Sequence, residues 1–146
     1  MLVGNKYGRQ HRAEQRRADS MANAGVEEGS WEAPSEADCD NVEEVNYPIG
    51  ETGRIVVHWR YRQGRIVFFM IQHEILHEGE WWPVARIDCK HRSVHLHRYR
   101  MGGTEVGSRT TLTPLHSEED VDAAWDDSYS LIADNAEEHE RTWRNV

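Results

Sequence analysis

The stretch "RIVVHWRYRQGRIVFFMIQHEIL", residues 54–76, decides the fold. Its first nine residues alternate Ile55, Val57, Trp59 and Tyr61 against Val56, His58, Arg60 and Arg62. A period of two sends successive side chains to opposite sides of a pleated strand, so this segment reads as a half-buried strand. Gln63-Gly64 supplies a tight turn, because glycine accepts the left-handed backbone that a short hairpin loop demands. From Arg65 the chain is apolar at nearly every position through Ile71. That pattern fits a strand with neighbours on both edges and cover on both faces.

Downstream, Glu78-Gly79 marks a second turn. "EWWPVARIDCK" (residues 80–90) is a third strand, "SVHLHRYR" (93–100) a fourth, and "RTTLTPL" (109–115) a short edge strand. Pro83 must sit at a bulge or where its missing N–H is harmless. Ser117 is a good helix N-cap, and Glu118, Glu119 and Asp120 complement the positive end of the helix dipole. Val121, Ala124, Trp125, Ser128, Leu131, Ile132 and Asn135 form one stripe at helical spacing. The expected fold is α+β: an antiparallel meander of four or five strands with a C-terminal helix packed on one face.

Upstream the character changes. Residues 1–45, including "EQRRADSMANAGVEEGSWEAPSEADCDNVEE" (14–44), have few large apolar side chains and no sustained period. Such a segment cannot bury enough surface to offset chain entropy. The expected organisation is a disordered polar segment at 1–45 and a single domain at 46–146. Met21 is an alternative start to Met1. No apolar run has the length of a membrane span, and Cys39 and Cys89 form no disulfide framework. The expectation is a soluble cytoplasmic protein with no bound cofactor.

The net charge of −9 is unevenly spread. Residues 1–50 carry 5 Lys/Arg against 10 Asp/Glu, residues 51–116 carry 10 against 6, and residues 117–146 carry 2 against 10. A basic middle can attract a polyanion locally although the whole chain is acidic.

Strand parity arranges the chemistry. With even hairpin loops at Gln63-Gly64, Glu78-Gly79 and His91-Arg92, the core face collects Val57, Trp59, Tyr61, Ile66, Phe68, Met70, Ala85, Ile87, Cys89, Val94 and Leu96. The opposite face then carries the rows His58, Phe69, Asp88, His95 and Val56, Ile71, Arg86, His97, with Arg54, His73, Val84 and Tyr99 beyond. Cross-strand neighbours lie about 5 Å apart at Cβ, so Arg86, Asp88, His95 and His97 converge. Val67, Phe69 and Ile71 would form an apolar strip there, calling for a cover. Arg98 falls on the core side and must reach out to water.

Three chemistries suit that cluster. In the first, His95 and His97 serve as general acid and base for phosphodiester chemistry, Asp88 fixes a tautomer and Arg86 steadies an anion. In the second, H-x-H with Asp88 holds a metal, although Arg86 would repel a cation there. The pair in "HEILH", His73 and His77, sits in a strand pattern and is not assigned a metal. In the third the face only binds, with His58, Arg60, Phe69 and Tyr99 (and Trp82) contacting single-stranded nucleic acid or a protein. A hydrogen-bonded polar face with no chemistry competes with all three.

The run "RIDCKHRSVHLHRYR" (86–100), with the strand and acidic helix after it, resembles a small uncharacterised actinobacterial domain family. The spacing of Arg86, Asp88, His95 and His97 is similar to the R-x-D…H-x-H hairpin of TumE-like toxins of toxin–antitoxin pairs. The likeness in layout covers residues 54–145, and its specific part is the hairpin. It implies a small intracellular toxin acting on RNA or translation, with an antitoxin-like protein, or a second copy of the chain, on the second sheet face. On this reading the function is RNA binding with cleavage; the alternative is a non-enzymatic interaction module, and a metal-dependent enzyme comes third.

Overall fold

The even hairpin loops form, and the strands they join make one antiparallel sheet in a computed structural model that describes residues 29–145. Gln63-Gly64 and Glu78-Gly79 both have two successive positive φ angles, 54° and 75°, then 52° and 82°. That backbone matches the right-handed twist of the flanking strands. Six strands follow in chain order: β1 (Asn41–Ile49), β2 (Gly53–Arg62), β3 (Arg65–His77), β4 (Glu80–Asp88), β5 (Ser93–Arg98) and β6 (Thr110–Pro114). Two helices close the chain, α1 (Glu118–Asp134) and α2 (Ala136–Asn145). None of the described helices is long and apolar enough to cross a membrane.

The strand count is six because the polar N-terminal region contributes one. Residues 1–28 lie outside the described residues, but 29–45 do not form a structureless tail. β1 pairs with β2 along its whole length, from Asn41 opposite Tyr61 to Ile49 opposite Gly53. An edge strand with one face in water can be mostly polar, and Glu43, Glu44 and Pro48 also guard its free edge against further pairing. Val45 and Ile49 are its contribution to the core. Before β1, Gly29 donates to the Arg92 carbonyl (2.9 Å), Trp31 donates to Leu115 (3.0 Å), and the Pro34 carbonyl accepts from Arg60 (2.9 Å). Trp31 and Ala33 pack against the core, so this stretch is part of the domain.

Gly29 is tight: a Cβ there would run into the Leu115 backbone. Gly29→Val is therefore expected to destabilise by about 2 kcal/mol, the usual cost of overpacking. A urea midpoint unchanged from wild type would show that residues 29–34 detach freely.

A single extra residue changes the face assignment. Tyr61 pairs with Ile66, but Arg60 pairs with Phe68, leaving Val67 as a bulge. Beyond it Trp59, Val57 and Ile55 face Phe69, Ile71 and His73. The expected placement of Phe68 and Met70 beneath the helix, with Phe69 and Ile71 on the second face, is thus corrected. Burial is the reason: the bulge sends Phe69 and Ile71 inward and Gln72 and Glu74 outward, where Glu74 pairs with Arg54 (2.8 Å). A second bulge lies where His73 pairs with Ala85 but Glu74 pairs with Pro83, so Pro83 sits beside a ladder irregularity.

Under α1, Val121, Leu131 and Ile132 meet Val57, Phe69, Ile71, Ile87 and Leu96. The Trp125 ring lies 5.3 Å from Trp59 and 5.4 Å from Phe69. Ser117 has the extended backbone of an N-cap, yet its hydroxyl makes no capping bond. Instead Asp120 reaches back to the His116 N–H (2.8 Å), and Glu118 and Glu119 each accept from Arg65 (2.9 Å). These acids tie the helix start to the β2–β3 hairpin. The single expected helix bends at Asn135, whose side chain donates to the Leu131 carbonyl (2.8 Å). α2 then runs over the far end of the sheet, its Trp143 fully buried against His77 (5.7 Å between rings).

Candidate functional site

The β4–β5 hairpin places its polar groups as the alternation demands. Arg86 pairs with His97 and Asp88 with His95, while Ile87 and Leu96 point to the helix side. Four residues, Cys89 to Arg92, join the strands, with left-handed φ at His91 (58°) and Arg92 (64°). Asp88 holds this turn by accepting the Lys90 N–H at Oδ1 (3.1 Å), as aspartates do two residues before a turn amide.

Its other oxygen is the centre of the cluster. Asp88 Oδ2 lies 3.2 Å from Arg86 Nε and 3.5 Å from His97 Nε2. His97 Nδ1 lies 3.3 Å from Glu105. The imidazole is therefore held between two carboxylates, and its ring lies near-parallel to Tyr99, with centroids 6.5 Å apart and planes 19° apart. The Arg86 guanidinium lies 5.7 Å from the same Tyr99 ring. Burial raises the Tyr99 hydroxyl above its ordinary pKa, with Arg86 opposing that shift. Arg86 keeps 30% of its side chain exposed, His97 12%, and Asp88 only 1%.

His95 differs from its neighbour. It is 1% exposed, and neither ring nitrogen has a hydrogen-bond partner among the described residues. Burial, with the positive charge of Arg109 and the nearby His97, pushes its pKa down to about 4, while Asp88 and the adjacent Lys90 backbone pull the other way. A neutral buried ring cannot act as a general acid at pH 7. The expected two-histidine pair is geometrically real, with ring centroids 6.2 Å apart, but its members are unequal.

Among the candidate binding residues, His58 lies on the second face opposite Met70. Its ring is flanked by Glu36 (3.4 Å) and Glu44 (3.7 Å). Arg60 lies over Phe68, 4.0 Å from the ring centroid. Phe69 does not belong to this face: the bulge buries it completely against Trp125. Phe68 takes its place, and residues 32–36 cross nearby, so the expected bare strip of Val67, Phe69 and Ile71 does not exist. A cavity of about 180 Å³ opens beside Phe68, lined by Arg60, Cys89, Lys90, His91, Ala33 and Glu32. Burial pushes the Cys89 thiol well up, which makes it inert there.

Sequence reading missed Glu105. It sits in "MGGTEVG", where Tyr99 and Glu105 form an isolated bridge that folds the glycine-rich loop back over β5. Only the paired glycines, Gly102 and Gly103, both at positive φ, hinted at so tight a return. His73, opposite Ala85, is buried on the helix side and takes no part in this cluster. Among the described residues no group of three or more His, Cys, Asp or Glu side chains is arranged to hold a metal ion.

No curated protein and no solved structure matches the chain. A family model described as a domain of unknown function (DUF7718) matches residues 39–145, a span that takes in all six strands and both helices. The folded unit from β1 onward is thus the part of the chain that the family model covers, and the chain belongs to the DUF7718 family.

Proposed function

We propose that the chain is a toxin-like RNA-binding protein whose contact surface is the second face of the sheet, around Arg86, His97, Tyr99 and the cavity at Phe68. The observation that carries this reading is the interleaving of cations and rings on that face. Arg86 and His97 flank Tyr99, and Arg60, Lys90 and His91 surround Phe68. The cations are what single-stranded RNA would meet at its phosphates, since the Phe68 and Tyr99 rings beneath them are largely buried (3% and 8% exposed). The basic balance of residues 51–116 supports it, as does the likeness of the R-x-D…H-x-H hairpin to TumE-like toxins. That likeness also makes an antitoxin-like protein the partner for the same face.

Cleavage is the sharper form of the reading, and His97 is the residue to carry it, since His95 is buried and neutral. Both nitrogens of His97 face carboxylates, which fix the orientation of the ring in the cluster. Without cleavage the face is a non-enzymatic interaction surface.

Fluorescence anisotropy with a labelled single-stranded RNA tests the proposal. Lys90→Gln with His91→Gln, both on the exposed turn, should weaken binding about tenfold and reduce the salt slope by about one. An RNA affinity that is absent at low salt, or indifferent to these changes, would overturn it. Incubation of the same RNA with wild type and His97→Asn separates cleavage from binding: products from wild type alone assign the chemistry to His97.

A further inference from the structure

Where the edge strand β1 meets the helices, two cavities adjoin and share Ala133 and Asp134. The first, about 260 Å³, has Tyr47, Trp125 and Tyr129 as walls, with Asp126 and Asp134 beside them. Tyr129 stands edge-on to Tyr47 (6.5 Å, 82°) and tilted to Trp125 (5.7 Å, 41°), so three rings surround one space from different directions. The second, about 530 Å³, is lined by Ile49, Gly50, His73, Ala136, Glu137 and Glu140. His73 is only 2% exposed, and its Nδ1 has no hydrogen-bond partner among the described residues.

These features select a ligand by charge and shape. Ring faces and carboxylates attract an organic cation, while the apolar parts of the walls suit methylene groups. A buried polar nitrogen left unpaired is costly unless something reaches it. Along α1 the rise from Tyr129 to Asp134 is about 7.5 Å, and α2 begins just past the bend at Asn135, so the two adjoining cavities suit a short chain with a cation at each end.

We propose that this groove binds a linear aliphatic polyamine, with one ammonium against Trp125 and Tyr129 beside Asp126, and another beside Glu137 and Glu140, where the His73 ring lines the cavity. Burial keeps His73 below its ordinary pKa although Glu140 and Glu74 pull it up. A neutral ring adds no repulsion to the cation. Glu140 also receives Arg144 (2.9 Å), an exposed arm that can turn aside to water. The groove and the Arg86–His97 face are separate, so this inference does not rest on the RNA reading.

Isothermal titration of the full-length chain with a linear triamine at physiological salt is the test, with tetramethylammonium and magnesium chloride as comparison probes. The triamine should bind one-to-one and at least about tenfold more tightly than tetramethylammonium. Asp126→Asn, Tyr129→Leu and Glu137→Gln should each weaken it about five- to tenfold. Asp122→Asn, an acid outside the groove, should leave it unchanged. Asp126→Asn and Glu137→Gln replace surface carboxylates and keep the proposal testable if Tyr129→Leu does not fold. Magnesium competing equally with the triamine, or groove variants that titrate like wild type, would overturn the proposal.

Discussion

Asp88→Ala is expected to destabilise the protein by about 3 kcal/mol, the largest loss from any single change on the second face. One side chain performs three tasks there. Its Oδ1 closes the β4–β5 turn by accepting the Lys90 amide, and its Oδ2 faces both Arg86 and His97. With the carboxylate gone, the turn amide loses its acceptor and Arg86 loses its counter-charge. Arg86 is part-exposed and can swing into water, which keeps the loss below that of a fully buried pair. Asp88→Asn retains an acceptor for Lys90 and should cost about half as much. Urea unfolding of the two variants against wild type measures both. A loss under about 1 kcal/mol for Asp88→Ala would mean that the cluster is electrostatically idle and that the hairpin is held by its apolar side alone.

Stability should also fall by about 3 kcal/mol between pH 6.5 and pH 4, because of His95. Its folded pKa is depressed to about 4 by burial, whereas the unfolded ring titrates near 6.5. Between these values the unfolded chain binds a proton that the folded chain refuses, so acidification favours unfolding. Above pH 6.5 neither state carries the proton and the contribution is level; below about pH 4 both carry it and the fall ends. His73, also depressed by burial, acts in the same direction. Thermal unfolding from pH 7.5 to 4.5 should therefore show a steep drop for wild type. His95→Leu and His95→Gln should both show a flatter curve, whatever their packing does to stability at pH 7.5. Parallel curves for wild type and variants would place the proton uptake elsewhere.

Both expectations bear on function. A carboxylate that folds the turn and a histidine that stays neutral are structural members of the cluster, so the proposed function falls to His97 and Arg86. The growth of cells expressing the protein, compared with cells expressing His97→Asn, connects that geometry to the toxin-like reading.

The alternation of β2 and of the β4–β5 hairpin, the turns at Gln63-Gly64 and Glu78-Gly79, and the apolar stripe of α1 were determined by the sequence alone. Each is a local property: a period of two, a left-handed turn pair, or a spacing of three and four. The convergence of Arg86, Asp88, His95 and His97 followed from that same pleat. What only the tertiary structure decided was everything that turns on competition between distant groups. The Val67 bulge reversed the faces of β3 and brought Phe69 and Ile71, both 0% exposed, into the core cluster with the α1 side chains. Polar β1 became a strand because an edge needs hydrogen-bond partners more than apolar side chains. His95 and His97, two residues apart and chemically alike, were separated by what covers them: packing leaves one in water's reach beside Glu105 and closes the other away.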